Sequence, residues 1–507
     1  MKSSLAPAAL GALLLSAAAA CSHDDPASAT VRRPDVVLFV VDTLRADHLG
    51  TYGYARPTSP ALDRLSGAGV VFEDVTAQWP WTLPSMVSMF QGQYITAYRD
   101  KLDESVPSLP ERFHDAGYRT VAIVANNIVD EGQGFARGFD QFDCVGWADE
   151  AEKVPGKRDI RDIEALLEGL LPEALAVDEA GERPPLFLWI HAYDPHDAYT
   201  AHPEHRAELP QAGAEDPELR AWWRATLAEL GARGPANDPQ WKAALDELRN
   251  LRGRYDQEVR YLDAGVDRIL AQLEAAGIGD DAIFALVSDH GEGLWEHIAN
   301  EPPANLPGYL PRRIFYMIHG ANGYETVSAT PFLLWGGGVP QGLRVTRAVE
   351  NVDLYPTLLQ LADLAPPEGL HGRSLVPLFE AADEPEMAWR EHVFCYGSHT
   401  VSVRHPESGW KLILPAGKSL RNGRGLELFQ LREDPRERVN RASSEPGVVA
   451  ELVAAYEAWM TAHPTVSNLK GKLAENEAAQ RAALAKKLQA LGYTELETGL
   501  GDEGTDQ

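Results

Sequence analysis

Side chains that can bind metals or carry protons follow several apolar segments of this sequence. They are Asp42, His191, His196, Asp289 and His290. In open α/β sheets, ligands bind beyond the carboxyl ends of the strands, so these side chains are expected to converge at one edge. Carboxylate oxygens suit a hard divalent cation such as Ca²⁺, Mg²⁺ or Mn²⁺, and imidazole suits proton transfer near neutral pH. The pattern therefore predicts a site there, although Asp42 could instead cap a helix, Asp289 could make a turn, and His191 could be a satisfied strand-end residue.

The apolar segments have the composition of strands that are buried on both faces of a parallel sheet. The predicted strands are Asp35–Val41, Thr120–Val124, Leu186–Ile190, Ile283–Val287 and Pro331–Trp335. Helical patterns lie between them, and the clearest runs from Tyr255 to Leu273, with Gly277 as its end. We therefore expect an α/β fold with a mostly parallel central sheet that is sandwiched by helices. Within that helix, Tyr255, Asp256 and Asp263 are interpreted as structural.

The pattern changes after about Pro377 to short strand-like pieces, which predict a small antiparallel sheet. These pieces are His392–Tyr396, Thr400–Arg404, Trp410–Leu414 and Leu426–Phe429, and an amphipathic helix is predicted from Val448 to Met460. The predicted organisation is a signal at 1–21, a tether at 22–34, a catalytic α/β domain at 35–380, a C-terminal α+β subdomain at 381–465 and a tail at 466–507. The catalytic domain carries a helical insertion at about 204–250, and the tail is helical before it becomes disordered.

The net charge of the chain argues against a nucleic-acid partner. The 507 residues carry a formal net charge of -29, which leaves no basic surplus to neutralise the phosphates of a nucleic acid.

The three cysteines do not form a disulfide framework, and we expect Cys144 and Cys395 to be free thiols.

The N-terminus resembles a bacterial lipoprotein signal. A basic Lys2 and a short apolar stretch lead into Ser16-Ala-Ala-Ala-Ala-Cys21. The resemblance implies an exported protein that contacts the membrane only through a lipid anchor at Cys21, whereas the alternative is simple cleavage near the alanines.

Motifs in a fixed order along the chain resemble the sulfatase family of the alkaline phosphatase superfamily. The matching segments are Val41–Gly50, Trp81–Ser85, Asp194–His196, Ser288–Glu292, His319–Gly320, Val352–Leu358 and His371–Leu375. The resemblance extends from about Pro34 to Arg441. It implies an alkaline phosphatase-like fold, an anionic ester substrate, hydrolysis of sulfate esters and one divalent metal ion. That ion is Ca²⁺ by family, with Mg²⁺, Mn²⁺ or Zn²⁺ as alternatives.

The resemblance also implies the metal ligands. They are Asp42, Asp289 and His290, together with the nucleophile position, Thr82. Many sulfatases carry a second aspartate beside the first, but Val41 and Thr43 flank Asp42 here. This thinner ligand set leaves the identity of the metal open.

Thr82 occupies the position of the cysteine or serine that sulfatases oxidise to formylglycine, and Met86 replaces an arginine of that motif. We expect no formylglycine, because the extra methyl group of threonine would yield a ketone instead of a hydratable aldehyde. A metal-bound threonine oxygen can still attack phosphorus in line. The alternative role for Thr82 is an N-cap hydroxyl on a helix that begins at Pro84, which is compatible with catalysis.

Two histidines resemble the histidines of the sulfatase family that contact the transferred group and protonate the leaving oxygen. They are His196 and His319, with His297 as a rival for the second role. Arg45 could bind the anion or orient Asp42, and a helix-surface salt bridge is the alternative.

Three functions remain open on the sequence alone. The first is a metal-dependent sulfate ester hydrolase with Thr82 as the nucleophile. The second is a phosphoester or phosphonate hydrolase, or a phospho-group transferase, on the same fold. The third is a noncatalytic binding lipoprotein.

Overall fold

A computed structural model of the chain describes residues 32–463, with gaps at 97–98, 100, 146–157, 180, 197–198, 200–201, 206–208, 210–238, 295, 298–318, 321, 381–388, 398–399 and 416–425. For 239–250 only the backbone is described. The predicted signal with Cys21, most of the tether, most of the helical insertion and the C-terminal tail lie outside the described residues.

The main sheet has eight strands within the described residues, in the order β5-β4-β6-β1-β7-β8-β2-β9. They are β1 (Val36–Val41), β2 (Gly69–Phe72), β4 (Arg119–Val124), β5 (Gln141–Cys144), β6 (Leu186–Ala192), β7 (Ile283–Ser288), β8 (Phe332–Gly336) and β9 (Leu343–Val345). A separate parallel pair joins β3 (Val75–Thr76) to β10 (Val349–Glu350). All five predicted strands are present.

The strand directions confirm a mostly parallel sheet. β1 lies in its middle and pairs in parallel with β6 on one side and with β7 on the other. β8 runs antiparallel to both of its neighbours, β7 and β2. The apolar composition of Pro331–Trp335 predicted this strand but could not show its direction, since a fully buried strand has the same composition in either orientation.

Helices cover both faces of the sheet. One face packs against α2 (Thr82–Gln91), α3 (Leu109–Asp115), α7 (Leu354–Leu361) and α8 (Val376–Glu380). The other face packs against α1 (Pro60–Gly67), α4 (Ile160–Ala174) and α5 (Pro239–Ala275). Side chains of β1 alternate between the two clusters, as the two-residue period of a strand requires. The predicted sandwich is therefore confirmed.

The long helix α5 carries the apolar stripe that the sequence predicts. The predicted core residues on it are all buried, namely Tyr255, Val259, Leu262, Val266, Ile269 and Leu273. Gly277 follows its end with φ +86°, a left-handed conformation that glycine adopts without strain.

The C-terminal region forms the predicted antiparallel sheet. Its strands are β11 (Val393–Tyr396), β12 (Thr400–His405), β13 (Trp410–Pro415) and β14 (Glu427–Gln430), in that spatial order. Helix α9 (Pro446–Ala462) closes a separate apolar cluster beneath it. Arg404 of β12 pairs with Asp74, and Lys411 of β13 pairs with Glu325 at 2.7 Å, on the short helix α6 (Glu325–Ser328). These ion pairs link the C-terminal sheet to residues beside the main sheet.

Two further sequence features have direct structural counterparts. Neither Cys144 nor Cys395 forms a disulfide bond within the described residues, as predicted. Within the described part of the chain, no helix combines the length and the apolar character that crossing a membrane requires.

Candidate metal centre and active site

The carboxyl ends of β1 and β7 are joined by hydrogen bonds at the centre of the site. Asp42 follows β1 and Asp289 follows β7, and both are fully buried. The backbone N–H of Thr43 donates to Asp289 Oδ1 at 3.2 Å, and the N–H of Leu44 donates to Ser288 Oγ at 2.9 Å. Thr43 has φ 54°, in the left-handed region, so the chain turns sharply directly after Asp42. The parallel pairing of Val41 with Ser288 places the two carboxylates, one residue further along each chain segment, side by side, as the sequence predicts.

Thr82 lies beside both strand ends. Its Oγ1 is 3.4 Å from Asp42 Oδ1 and 3.2 Å from His290 Nε2, and the residue is fully buried. Helix α2 begins at Thr82 itself with Trp81 at the N-cap, and no side chain caps it. The alternative role of an N-cap hydroxyl for a helix beginning at Pro84 is therefore wrong. The Ser85 hydroxyl donates to the Asp289 carbonyl oxygen at 2.7 Å and holds the helix start against the end of β7.

His290 presents its Nε2 atom to the same point. This atom lies 3.7 Å from Asp42 Oδ1 and 3.4 Å from Asp289 Oδ2. Nδ1 lies 2.8 Å from the carbonyl oxygen of Gly291, which can only accept, so Nδ1 carries the proton and Nε2 offers its lone pair. Burial and the neighbouring His319 lower the pKa of His290 well below its usual value. The imidazole is therefore neutral, as a metal ligand must be.

Sequence reasoning missed Asn126. Its Nδ2 donates to Asp42 Oδ2 at 3.0 Å, at the end of β4. The residue comes shortly after a predicted strand, as Asp42 does, and that position was the available signal. Amides are common loop residues, however, so only the contact reveals that Asn126 orients the carboxylate.

His191, at the end of β6, is not the satisfied strand-end residue that the sequence allowed. Its side chain is fully buried, and neither ring nitrogen has a hydrogen-bond partner in the described part of the chain. Burial lowers the pKa of His191 to about 4, so the ring is neutral near pH 7. Single ligand atoms of Asp42, His191 and Asp289 all lie within 4.8 Å of one another.

The donor set around Asp42 fits a divalent cation. Oxygen and nitrogen atoms of Thr82, Asp42, His290 and Asp289 face one another at 3.2 to 3.7 Å, which is long for hydrogen bonds. Donors held about 2.1 Å from one tetrahedral ion are about 3.4 Å apart. Asp289 Oδ2 is buried without a hydrogen-bond partner in the described residues. Burial raises the pKa of Asp289 well above its usual range, and the charge of Asp42 adds to this rise. A cation here would satisfy these atoms and neutralise both carboxylates.

The two predicted proton donors lie together beside His290. The ring centres of His196 and His319 are 5.0 Å apart, and those of His319 and His290 are 4.8 Å apart. His319 Nδ1 contacts Glu292 Oε1 at 2.9 Å, and His196 Nδ1 contacts the Tyr193 hydroxyl at 2.5 Å. Each imidazole is thus oriented through one nitrogen by a neighbouring polar group.

The structure does not bring Arg45 or His297 to the carboxylates. The buried Arg45 guanidinium contacts Asp47 at 2.8 Å and Glu296 at 2.6 Å, and none of its described contacts is to Asp42. His297 Nε2 lies 3.2 Å from the Arg436 carbonyl oxygen, and its ring stacks on Tyr324. Their anion-binding roles stay predictions.

Helix α5 supports the site from outside. The Tyr255 hydroxyl donates to the Thr43 carbonyl oxygen at 2.7 Å and accepts from the Arg45 N–H at 2.9 Å. Asp256 contacts His48 at 2.7 Å, and Asp263 accepts the N–H groups of α1 residues. These three residues of α5 are structural, as predicted.

Two family models match the chain. Residues 34–364 match the Sulfatase family, and residues 322–458 match the domain described as N-sulphoglucosamine sulphohydrolase, C-terminal. Delta 4,5-hexuronate-2-O-sulfatase of Bacteroides thetaiotaomicron is 21% identical over 464 residues, covering 85% of this chain and 89% of that protein. Human iduronate 2-sulfatase is 24% identical over 417 residues, covering 71% and 74%. Arylsulfatase K of Danio rerio is 32% identical over 215 residues, which are 41% of this chain and only 36% of that protein's length.

Solved structures share the fold. One is a protein solved in complex with its substrate, D-glucosamine-2-N,6-O-disulfate. It aligns with TM-score 0.64 at 17% identity, and the alignment covers 87% of this chain and 100% of that chain. Phosphonate monoester hydrolase of Agrobacterium radiobacter aligns with TM-score 0.62 at 18% identity, covering 88% and 99%. At such identities the likeness establishes the alkaline phosphatase-like fold alone. The family match, which spans the strands that carry Asp42 and Asp289, goes further: the chain belongs to the sulfatase family.

Proposed function

We propose that the protein is a metal-dependent hydrolase of sulfate esters in which Thr82 is the nucleophile. The observation that carries the proposal is the position of Thr82 Oγ1, which lies 3.4 Å from Asp42 Oδ1 and 3.2 Å from His290 Nε2. A structural threonine at a helix start would direct its hydroxyl to the backbone, but this one faces two metal-ligand side chains. Membership of the sulfatase family supports sulfate as the transferred group.

Asp42, Asp289 and His290 would hold the cation. When bound, a divalent ion supplies positive charge to the ester oxygens and lowers the pKa of a hydroxyl beside it. Asn126 fixes one oxygen of Asp42, and the N–H of Thr43 fixes one oxygen of Asp289, which leaves the second oxygen of each toward the centre. The ligands are thus oriented before any ion or substrate arrives.

The side chains present can carry both halves of the reaction. The Thr82 oxygen attacks sulfur, the bond from sulfur to the alcohol oxygen breaks, and the hydroxyl proton passes to Asp42, whose Oδ1 lies 3.4 Å away. The leaving oxygen takes a proton from the pair formed by His196 and His319, whose rings lie 5.0 Å apart. Water then attacks sulfur and gives a proton to the deprotonated imidazole, and the bond from sulfur to the Thr82 oxygen breaks. That oxygen takes back the proton held at Asp42, so sulfate is released and the hydroxyl is restored. The N-terminus of α2 favours the negative charge at this position.

A second candidate is hydrolysis of phosphate or phosphonate monoesters. Two residues that replace those of the formylglycine motif favour it. Thr82 cannot form the aldehyde, and Met86, in place of the arginine, is fully buried in the apolar core between α2 and the sheet. In-line attack by an alcohol on phosphorus gives a phospho-enzyme that water can hydrolyse. Phosphonate monoester hydrolases are among the proteins with this fold.

The test compares matched aryl sulfates, aryl phosphates and phosphonate monoesters with the full-length protein, loaded in turn with Ca²⁺, Mg²⁺, Mn²⁺ and Zn²⁺. Thr82→Ala is expected to lose at least about a thousandfold in kcat, and Thr82→Ser to retain measurable turnover with the same metal. The substrate with the highest kcat/KM decides between sulfur and phosphorus. Turnover that Thr82→Ala leaves unchanged would remove the nucleophile assignment. Absence of both metal binding and ester cleavage would favour the noncatalytic alternative.

We also infer that the protein is exported and anchored by lipid at Cys21. The support is the sequence alone, in which small residues lead directly into that cysteine. Cys21→Ala is expected to move the protein from the membrane fraction to the soluble fraction of an expressing bacterium. Membrane association that persists in this variant would contradict the anchor.

A further inference from the structure

We propose that His191 is a ligand of the same cation, in addition to Asp42, Asp289 and His290. This inference rests on the proposed metal centre and adds to it a fourth side chain, from a third strand. His191 lies on β6 opposite Val40 of β1, two residues before Asp42. Because β6 and β7 flank β1, it approaches the centre from the other side of β1 than Asp289 and His290, which follow β7.

The burial of His191 requires a partner. Its side chain has no exposed surface, and both ring nitrogens are without a hydrogen bond in the described part of the chain. A neutral imidazole has one donor and one acceptor, and leaving both unsatisfied in the interior costs free energy. The other site histidines differ in this respect, because His290 bonds the Gly291 carbonyl and His319 bonds Glu292.

A cation at the proposed centre would supply a partner for one of the two ring nitrogens. A ring nitrogen of His191 lies within 4.8 Å of carboxylate oxygens of Asp42 and Asp289, yet no hydrogen bond joins it to either. Two donors on opposite sides of one ion, each at about 2.0 to 2.3 Å, are separated by up to about 4.6 Å. The atoms are thus near enough for one cation to bridge them, although no hydrogen bond joins them directly.

A second imidazole changes which metals the site prefers. Ca²⁺ takes oxygen ligands, whereas imidazole suits Zn²⁺ and other first-row transition metals. Two carboxylates with two imidazoles therefore form a mixed nitrogen and oxygen set. His191 is expected to make the centre prefer Mn²⁺ or Zn²⁺ over Ca²⁺, even though the family implies calcium.

The experiment measures metal binding without turnover. Apo-protein is titrated with Mn²⁺, Zn²⁺ and Ca²⁺ by calorimetry for wild type, His191→Ala, His191→Gln and Asp289→Asn. The control is His371→Gln. His371 accepts a hydrogen bond from the Tyr94 N–H and packs on the rings of Tyr94 and His463, and these contacts involve none of the proposed metal ligands. Pulsed electron paramagnetic resonance of the Mn²⁺- or Cu²⁺-loaded proteins counts the coordinated imidazole nitrogens. Circular dichroism of each apo-variant verifies that it is folded.

His191→Ala is expected to lose at least about tenfold in Mn²⁺ and Zn²⁺ affinity, and to lose one of two imidazole couplings, while its Ca²⁺ affinity changes less. His371→Gln should match wild type. If Asp289→Asn abolishes binding but folded His191→Ala and His191→Gln keep wild-type affinities and both couplings, the inference is overturned and the proposed metal centre stands. If wild type binds none of the three metals, the proposed function itself fails and the His191 assignment fails with it.

Discussion

Asn126 and Asp42, 84 positions apart in the sequence, are joined by a hydrogen bond of 3.0 Å from the amide Nδ2 to the carboxylate Oδ2. The bond makes the two oxygens of Asp42 unequal, because Oδ1 alone is left to face Thr82 and His290. The orientation of Asp42, a proposed metal ligand, thus depends on a residue that follows a third strand, β4.

Replacing Asn126 should weaken metal binding without unfolding the protein. Asn126→Ala removes the bond that orients Asp42, and loss of such a partner typically costs about 10-fold to 100-fold in metal affinity. Calorimetric titration of the apo-protein with Mn²⁺ measures this change, and Asn440→Ala, which alters an amide beside β14, is the control. An Asn126→Ala affinity equal to wild type would show that Asp42 needs no such support.

His319 should act on the leaving group. If it protonates the departing oxygen, His319→Asn will slow esters of poorly acidic alcohols far more than 4-nitrophenyl esters, because nitrophenolate leaves without a proton. We expect a difference of about 100-fold or more between the two classes. Plots of log kcat/KM against leaving-group pKa for wild type and variant measure it. An equal loss for both classes would assign His319 to binding only.

Glu292→Gln tests the partner of His319. The carboxylate contacts Nδ1 at 2.9 Å and orients the ring, so its loss should reproduce part of the leaving-group effect while KM changes less than kcat. Wild-type kinetics in this variant would indicate that His319 is held by other contacts.

Met86 cannot be returned to the family's arginine at no cost in stability. Its side chain is fully buried among apolar residues of α2 and its neighbours. Met86→Arg would place an unpaired charge there and should lower the free energy of unfolding by about 3 to 5 kcal/mol, whereas Met86→Leu should cost less than about 1.5 kcal/mol. Chemical denaturation measures both. Equal stability of the two variants would mean that polar space exists beside Met86.

His297 should make stability sensitive to acid. Burial lowers the pKa of His297 to about 4, whereas an unfolded histidine titrates near 6.5. Between about pH 6.5 and about pH 4, this histidine is protonated in the unfolded state but not in the folded state. The free energy of unfolding therefore decreases as the pH falls through this window, by up to about 3 kcal/mol. His297→Phe keeps an aromatic ring beside Tyr324 but cannot titrate. Denaturation curves at several pH values should show a smaller acid-dependent loss in the variant, and identical losses would contradict the shift.

Lys411 should be essential for the attachment of the C-terminal sheet. It is almost fully buried and pairs with Glu325 at 2.7 Å and Glu437 at 2.8 Å. Lys411→Met leaves the buried Glu437 carboxylate without its lysine partner and removes one of the cations beside the partly exposed Glu325, so it should destabilise the protein by about 3 to 5 kcal/mol. Adding Glu437→Gln should restore part of this loss, because one of the opposed charges is removed. Thermal and chemical denaturation of the single and double variants check both expectations.

The main elements of the fold were predictable because they depend on local patterns. Fully apolar runs mark strands such as β1 and β7, and the helical spacing from Tyr255 to Leu273 marks the buried face of α5. The direction of β8 was not predictable. A strand that is covered on both faces of the sheet is apolar throughout, whether it runs parallel or antiparallel to its neighbours.

The site was predictable only in part. Asp42, Asp289 and His290 follow strands directly and match family motifs, so position and resemblance agree. The roles of Asn126 and His191 depend on contacts between strand ends far apart in sequence, and neither residue type signals such a role by itself. The N-cap interpretation of Thr82 failed because α2 begins two residues earlier than Pro84 suggested.

An unmodified threonine at the head of α2 also bears on how the protein reaches its working form. Formylglycine must be made by oxidation of a translated side chain, whereas the Thr82 hydroxyl is complete when the chain leaves the ribosome. A nucleophile of this kind needs no maturation partner and no oxidant. The proposed enzyme would therefore be ready once folded and loaded with its ion, in an anaerobic cell or in any expression host.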